Sequence, residues 1–292
     1  MNQIRLASSF KDLKSLNLWQ SIIAELLGTF LLAFIGFGSV FSNMNPVKVG
    51  LGFGLAGVVI IYCIGPISGG HINPAVSFGL LIARQISLIR FILYIFVQIL
   101  GATFGYLFIS ILTKGKVLNP SHFSILSSNN LTKFNSADYK ITENIDKIKD
   151  LHLKILCELV ITFVLVFTVM RLCVEKSRNP TEKGLAPLII GISITVGVYC
   201  GMNISGGSMN PAVSLAKFMC TKQSKGLISH IVGPLLGGFL AAILQQLVFT
   251  SNLSILHVKS FLFSHDFDSH DTNSGDSKKM ENTNDIQLDK IE

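Results

Sequence analysis

Two tripeptides, Asn73-Pro74-Ala75 and Asn210-Pro211-Ala212, combine residue types and spacing that can do chemistry. Asn is a strong helix N-cap, and Pro suits the first helical position, where its missing N–H costs nothing. Each tripeptide reads as a helix start. A helix N-terminus carries about half a positive elementary charge, so two starts set face to face make a local positive field. With the Asn73 and Asn210 side-chain oxygens accepting from their own helices, both NH2 groups are expected to stay free as donors. Such a site holds a neutral polar molecule by its oxygen and opposes cations and protons. Each tripeptide follows a Gly-rich run, Ser68-Gly69-Gly70-His71-Ile72 or Ser205-Gly206-Gly207-Ser208-Met209. Small residues there let the backbone run extended and expose its carbonyls. His71 reads either as a lining residue or as a satisfied packing histidine.

The elements that must position these turns belong in a membrane. The 292 residues are 49% apolar and 14% charged, against about 25% charged in a soluble domain. A spanning helix needs ~20 mostly apolar residues. Six segments qualify: Leu18–Phe41, Val49–Ile64, Phe91–Leu112, Leu153–Val174, Leu185–Cys200 and Leu227–Thr250. Asn73–Ala83 and Asn210–Cys220 are too short to span and read as re-entrant half-helices, allowed at membrane depth where protein or a water-filled cavity surrounds them.

The halves repeat. Glu25 and Glu158 sit in matching segments 133 residues apart, and Asn73 and Asn210 stand 137 apart. Three spans per half turn the second half upside down, an inverted repeat with a midplane site where the broken helices meet. The expected fold is therefore an all-α membrane protein of six transmembrane helices plus two re-entrant half-helices. Its channel domain covers residues 18–250, in halves of about 18–112 and 153–250 joined by an extracellular loop, 113–152. All five arginines (5, 84, 90, 171 and 178) fall on one side if the N-terminus, 1–17, is cytoplasmic. The loop carries an Asn130-Leu131-Thr132 glycosylation sequon. The polar tail, 251–292, is cytoplasmic on this reading and expected to be disordered. Residues Met1–Gln20 lack a secretory pattern, so the first apolar segment is read as a retained span.

Several functions are excluded. The net charge of +7 resides mostly in loops and termini, which fits membrane flanks and no nucleic-acid face. The five cysteines show no CxxC pair, so neither a disulfide framework nor a metal site is indicated. No nucleophile–base pair, cofactor loop or catalytic residue stands out, and an enzyme is not expected. Glu25 and Glu158 are the acidic residues well inside apolar segments, which by default marks them as functional. Taken alone they could be proton or cation sites of a secondary transporter.

The chain resembles the major intrinsic protein (aquaporin) family over roughly residues 18 to 250. The resemblance rests on Glu25-x-x-x-Thr29, Gly69 to Val76, Glu158-x-x-x-Thr162 and Ser205 to Ala212. It implies six tilted helices around a pore in each subunit and a homotetramer in the plasma membrane or an intracellular vacuole-type membrane. It also implies that Glu25 and Glu158 support the re-entrant loops by accepting backbone N–H bonds. Water-selective relatives have an outer filter of an aromatic, a His, a small residue and an Arg. The corresponding positions are Phe53, Val198, Gly207 and Val213, so the His and the Arg are replaced by valines. Ser214 stands where glycerol facilitators tend to have Asp. A wider, more apolar filter is expected to pass water with small uncharged solutes such as glycerol and urea. Lys217, one turn beyond Val213, could set a charge at the outer mouth, but the preferred reading has it snorkel to the interface. The alternative function is a gated or closed pore with a mainly structural role.

Overall fold

The computed structural model describes residues 12–42, 45–116, 147–174, 184–224 and 226–250, with 179, 181, 258, 261 and 262 besides. The first half comprises α1 (Leu16–Ser42), α2 (Pro46–Ser68), α3 (Pro74–Ile82) and α4 (Leu88–Leu112). The second comprises α5 (Lys147–Val169) with a π-turn at Met170–Val174, α6 (Ala186–Gly201), α7 (Pro211–Thr221) and α8 (Leu227–Leu247). No strand appears among the described residues.

Local chemistry explains the boundaries. Asn45, Asn73 and Asn210 each accept a backbone N–H two residues on and place Pro at the first helical position. Ser87 caps α4 through Arg90 N–H. The Asn45-Pro46 start makes α2 longer than the expected Val49–Ile64, because the same cap-and-proline signal operates there. Among the described residues five helices are long and apolar enough to cross a membrane. The sixth expected span is α6, apolar but only 16 residues long, about 24 Å at the helical rise.

Packing follows the repeat. α1 lies against α4, α5 against α8, and α2 against α6 across the middle. Each half-helix also packs on the last helix of the other half, α3 on α8 and α7 on α4, so the halves interlock. Backbones approach closely at small residues spaced four apart, as membrane helices do without a hydrophobic force between them. A Cβ at Gly101 or Gly105 would lie 2.3 Å from Leu26 O or Phe30 O of α1, and one at Gly237 would lie 2.4 Å from Leu159 O of α5. Bulky apolar side chains such as Trp19, Val59, Phe96 and Ile111 face outward.

Two expectations concern segments at the margins. Asn130 lies outside the described residues. In the tail, Phe261 is buried, with the Arg84 guanidinium 5.6 Å from its ring centre. The Phe261 ring takes cation–π contact with a loop arginine, and apart from 258, 261 and 262 the tail expected to be disordered lies outside the described residues.

Candidate functional site

The two re-entrant loops are held by the two buried glutamates. Glu25 Oε1 accepts from Ser68 Oγ (2.7 Å) and His71 N (2.8 Å), and Oε2 from Ile72 N (2.6 Å) and Gln98 Nε2 (2.8 Å). Glu158 repeats the pattern, accepting from Ser205 Oγ (2.7 Å), Ser208 N (2.9 Å) and Met209 N (2.8 Å). Each of these partners is a donor, and the carboxylate oxygens supply the acceptors. Gly70 and Gly207 sit at φ 61 and 62. A Cβ at Gly207 would lie 3.0 Å from Val198 O, so only glycine fits that close, left-handed turn.

The next residues, Ile72 and Met209, are left-handed without being glycine, at φ 44 and 50. Such backbone persists where its surroundings over-determine it. The N–H of each is bound by a glutamate, and the carbonyl of each is bound by the asparagine of the opposite turn. Asn210 Nδ2 donates to Ile72 O and Asn73 Nδ2 to Met209 O, both at 2.9 Å. The Asn oxygens accept from Ala75 N (2.8 Å) and Ala212 N (3.1 Å). The expectation of wholly free NH2 groups is corrected here. One N–H of each Asn is spent tying the two halves together, and one is left for the lumen. The half-helix starts cannot meet without satisfying the carbonyls that precede them.

Both turns lie on the wall of one cavity of about 1310 Å³. Phe53, Val198, Gly207 and Val213 line the same cavity, as do Asn73, Asn210 and His71. Pro74, Ala75, Pro211 and Ala212 are buried behind it as the first turns of α3 and α7. His71 does both of the jobs considered for it: it lines the cavity, and its Nδ1 lies 3.0 Å from Ser77 Oγ. Lys217 also lines the cavity, together with Lys154 and Lys222. Lys217 thus lies on the cavity wall, the alternative to the interfacial placement. In a re-entrant helix the i and i+4 face that carries Val213 stays on the lumen, so Lys217 stays there with it. No acidic side chain lines the cavity among the described residues.

The Major intrinsic protein family model matches residues 12–245. The chain belongs to the major intrinsic protein family. Aquaporin-4 of Mus musculus is 31% identical over 255 residues, 85% of this chain and 72% of that relative. Aquaporin-5 of Mus musculus is 33% identical over 251 residues, 84% of this chain and 87% of the relative. An X-ray structure of the aquaglyceroporin from Plasmodium falciparum superposes with a TM-score of 0.59 at 22% identity, covering 80% of this chain and 97% of that one. That likeness speaks to the fold. As a major intrinsic protein the chain is an integral, multi-pass membrane channel of the water and small-solute class, and it is not an enzyme.

Within this major intrinsic protein, sequence reasoning missed the posts behind the loops. Tyr94 O–H donates to Ser68 O at 2.8 Å. In the second half His230 takes that place, with Nε2 at 2.6 Å from Ser205 O and Nδ1 at 3.1 Å from Ser214 Oγ. His230 Nε2 also lies 3.6 Å from Glu158 Oε1, a partner not legible within the spans. A further clasp lies at the start of α4. Arg90 grips Asp12 at 3.0 and 3.2 Å and reaches Tyr94 Oη at 3.4 Å. Burial pushes the Asp12 carboxyl up, but the bonds from Arg90 and Ser87 and the Arg90 charge outweigh it and hold the group below the usual carboxylate range.

Proposed function

We propose that the chain is a passive pore for water and small uncharged solutes, glycerol and urea among them, which refuses protons and cations at the paired Asn-Pro-Ala turns. The observation that carries this reading is a single cavity lined by Asn73, Asn210 and the four filter positions Phe53, Val198, Gly207 and Val213. Two half-helix starts with their positive ends together, and one N–H left on each Asn, favour a solute that accepts hydrogen bonds and carries no positive charge. Loop carbonyls replace the donors' partners that water loses on entry. Val198 and Val213 leave the filter without the five fixed donors of an Arg, so a molecule larger than water meets less steric and polar refusal. Lys217 adds a basic side chain farther along the wall, which opposes cation entry without narrowing the filter.

The channel domain on this reading covers residues 18–250 and assembles as a homotetramer. Both termini lie on the cytoplasmic face. Asp12 and Phe261 support a common side for them, because both are held at the segment that leads into α4, through Arg90 and Arg84.

Swelling of proteoliposomes in inward glycerol and urea gradients tests the solute range. Flux of both above the lipid rate supports the proposal. Water permeation with neither solute moving rejects the solute range, and no water permeation rejects the pore.

A further inference from the structure

His230 breaks the symmetry of the two loop posts. In the first half three side chains share the work: Tyr94 O–H holds Ser68 O at 2.8 Å, and Gln98 Nε2 and His71 Nδ1 each lie 3.0 Å from Ser77 Oγ. In the second half one imidazole does both, with Nε2 on Ser205 O and Nδ1 on Ser214 Oγ. Ser214 Oγ lies 2.6 Å from Ser208 Oγ, and Ser208 Oγ lies 3.2 Å from Asn210 O. His230, Ser214, Ser208 and Asn210 all line the cavity. A titratable ring therefore heads a line of hydroxyls that ends at the second Asn-Pro-Ala turn.

The carbonyl of Ser205 can only accept, so Nε2 keeps its hydrogen in either state of the ring. In the neutral ring Nδ1 is an acceptor. Ser214 must then give its hydrogen to Nδ1, and Ser208 gives its own to Ser214. Uptake of one proton at Nδ1 reverses the line. Nδ1–H donates to Ser214, Ser214 turns its hydrogen to Ser208, and the Ser208 hydrogen leaves Ser214 and is shared between the lumen and the long contact to Asn210 O at 3.2 Å. One proton comes from solvent, the hydroxyls only rotate, and no covalent O–H bond breaks. Of the titratable and charged groups around the ring, Glu158 of α5 lies 3.6 Å from Nε2, Cys157 of α5 contacts the Ser205 hydroxyl, and Lys154 of α5, Lys217 of α7 and Lys222 of the turn before α8 line the same cavity.

We infer that His230 sets the donor–acceptor polarity of the outer pore wall: with the ring neutral, Ser208 offers the lumen an acceptor, and with the ring protonated it offers a donor. His230 is a positioning residue for specificity, acting through Ser214 and Ser208. The inference rests on the solute-channel reading above. Protonation of the ring therefore shifts the preference among neutral solutes. Urea and glycerol both give and take hydrogen bonds, but the urea carbonyl is the stronger acceptor, so urea gains relative to glycerol at low pH.

The test is the ratio of urea to glycerol permeability in proteoliposomes of the full chain, with equal pH inside and out. The expected result is a rise of about threefold from pH ~8 to pH ~5, the scale of one net hydrogen bond. His230→Tyr, which keeps a donor for Ser205 O as Tyr94 does for Ser68 O, flattens the profile. Ser214→Ala, which leaves His230 and its bond to Ser205 in place, flattens it too. Water flux, measured in each variant, reports that the pore is intact. A flat wild-type ratio overturns the inference, as does a pH-dependent ratio that survives in either water-conducting variant. Solute flux at the lipid rate throughout, with water still moving, overturns the solute reading and this inference with it.

Discussion

Glu25→Gln is the sharpest test of how the first re-entrant loop is held. The carboxylate is fully buried and receives four donors. A glutamine offers one oxygen and presents two hydrogens where two donors now point. Ser68 Oγ has an alternative acceptor in Ile64 O at 3.4 Å. The Gln98 amide can turn over, and its Oε1, which has no hydrogen-bond partner among the described residues, then accepts from the new NH2. The backbone N–H groups of His71 and Ile72 cannot turn. One of them is orphaned in a buried site, at about 1–3 kcal/mol. The bonds that remain lose their charge assistance, at about 1 kcal/mol each. The variant escapes the cost of burying a carboxylate, which offsets part of the loss. The net expectation is about 3 kcal/mol, more than a hundredfold in the folded-to-unfolded ratio. Denaturant unfolding in mixed detergent micelles, followed by helical circular dichroism, measures it. A change under about 1 kcal/mol, with full water permeability, refutes the view that four donors on one carboxylate hold the loop.

Other outcomes follow from the same contacts. Glu158→Gln is at least as costly as Glu25→Gln, because no glutamine amide lies beside Glu158 to turn over; parallel unfolding of the two variants checks the order. Val213→Arg restores the missing guanidinium and lowers glycerol and urea flux by about tenfold, or about 1.4 kcal/mol of barrier, while water still moves in stopped-flow. Asp12 is held below its usual range, so the Asp12–Arg90 clasp contributes fully above that range and is lost as pH falls through the lowered folded value. Its contribution is about 1 kcal/mol; thermal unfolding of wild type and Asp12→Asn differs by that amount at neutral pH and converges in acid. Asn210→Ala removes the cap on Ala212 N and the tie to Ile72 O, and costs about 2 kcal/mol in the same unfolding assay.

Much of this architecture was legible because it is written in local chemistry. Asn followed by Pro marks helix starts at 73 and 210, and the same pair at 45 marks the start of α2, which apolar counting alone placed three residues late. Two acidic residues in apolar segments pointed to something polar nearby, and the loop N–H groups are there. What local chemistry could not show are partners that only the interlocked fold brings together. Asn73 finds Met209 across 136 residues of chain. His230 in α8 carries no flanking motif, and only the approach of α8 to the second loop makes it a post. Lys217 was read as an interfacial lysine because, among spanning helices, that is the cheapest place for an ammonium. A half-helix instead starts at the buried Asn210 and runs out to the exposed Lys222, so one of its faces, Lys217 included, lines the cavity.

The central claim is that the paired turns pass water and refuse protons. Purified protein in liposomes carrying a trapped pH-sensitive dye tests both at once, by shrinkage in an osmotic gradient and by dye response to a proton gradient under a potassium–valinomycin clamp. The account predicts shrinkage well above the lipid rate with proton leak no greater than in empty liposomes. Proton leak that rises with the amount of protein, or shrinkage at the lipid rate, would contradict it.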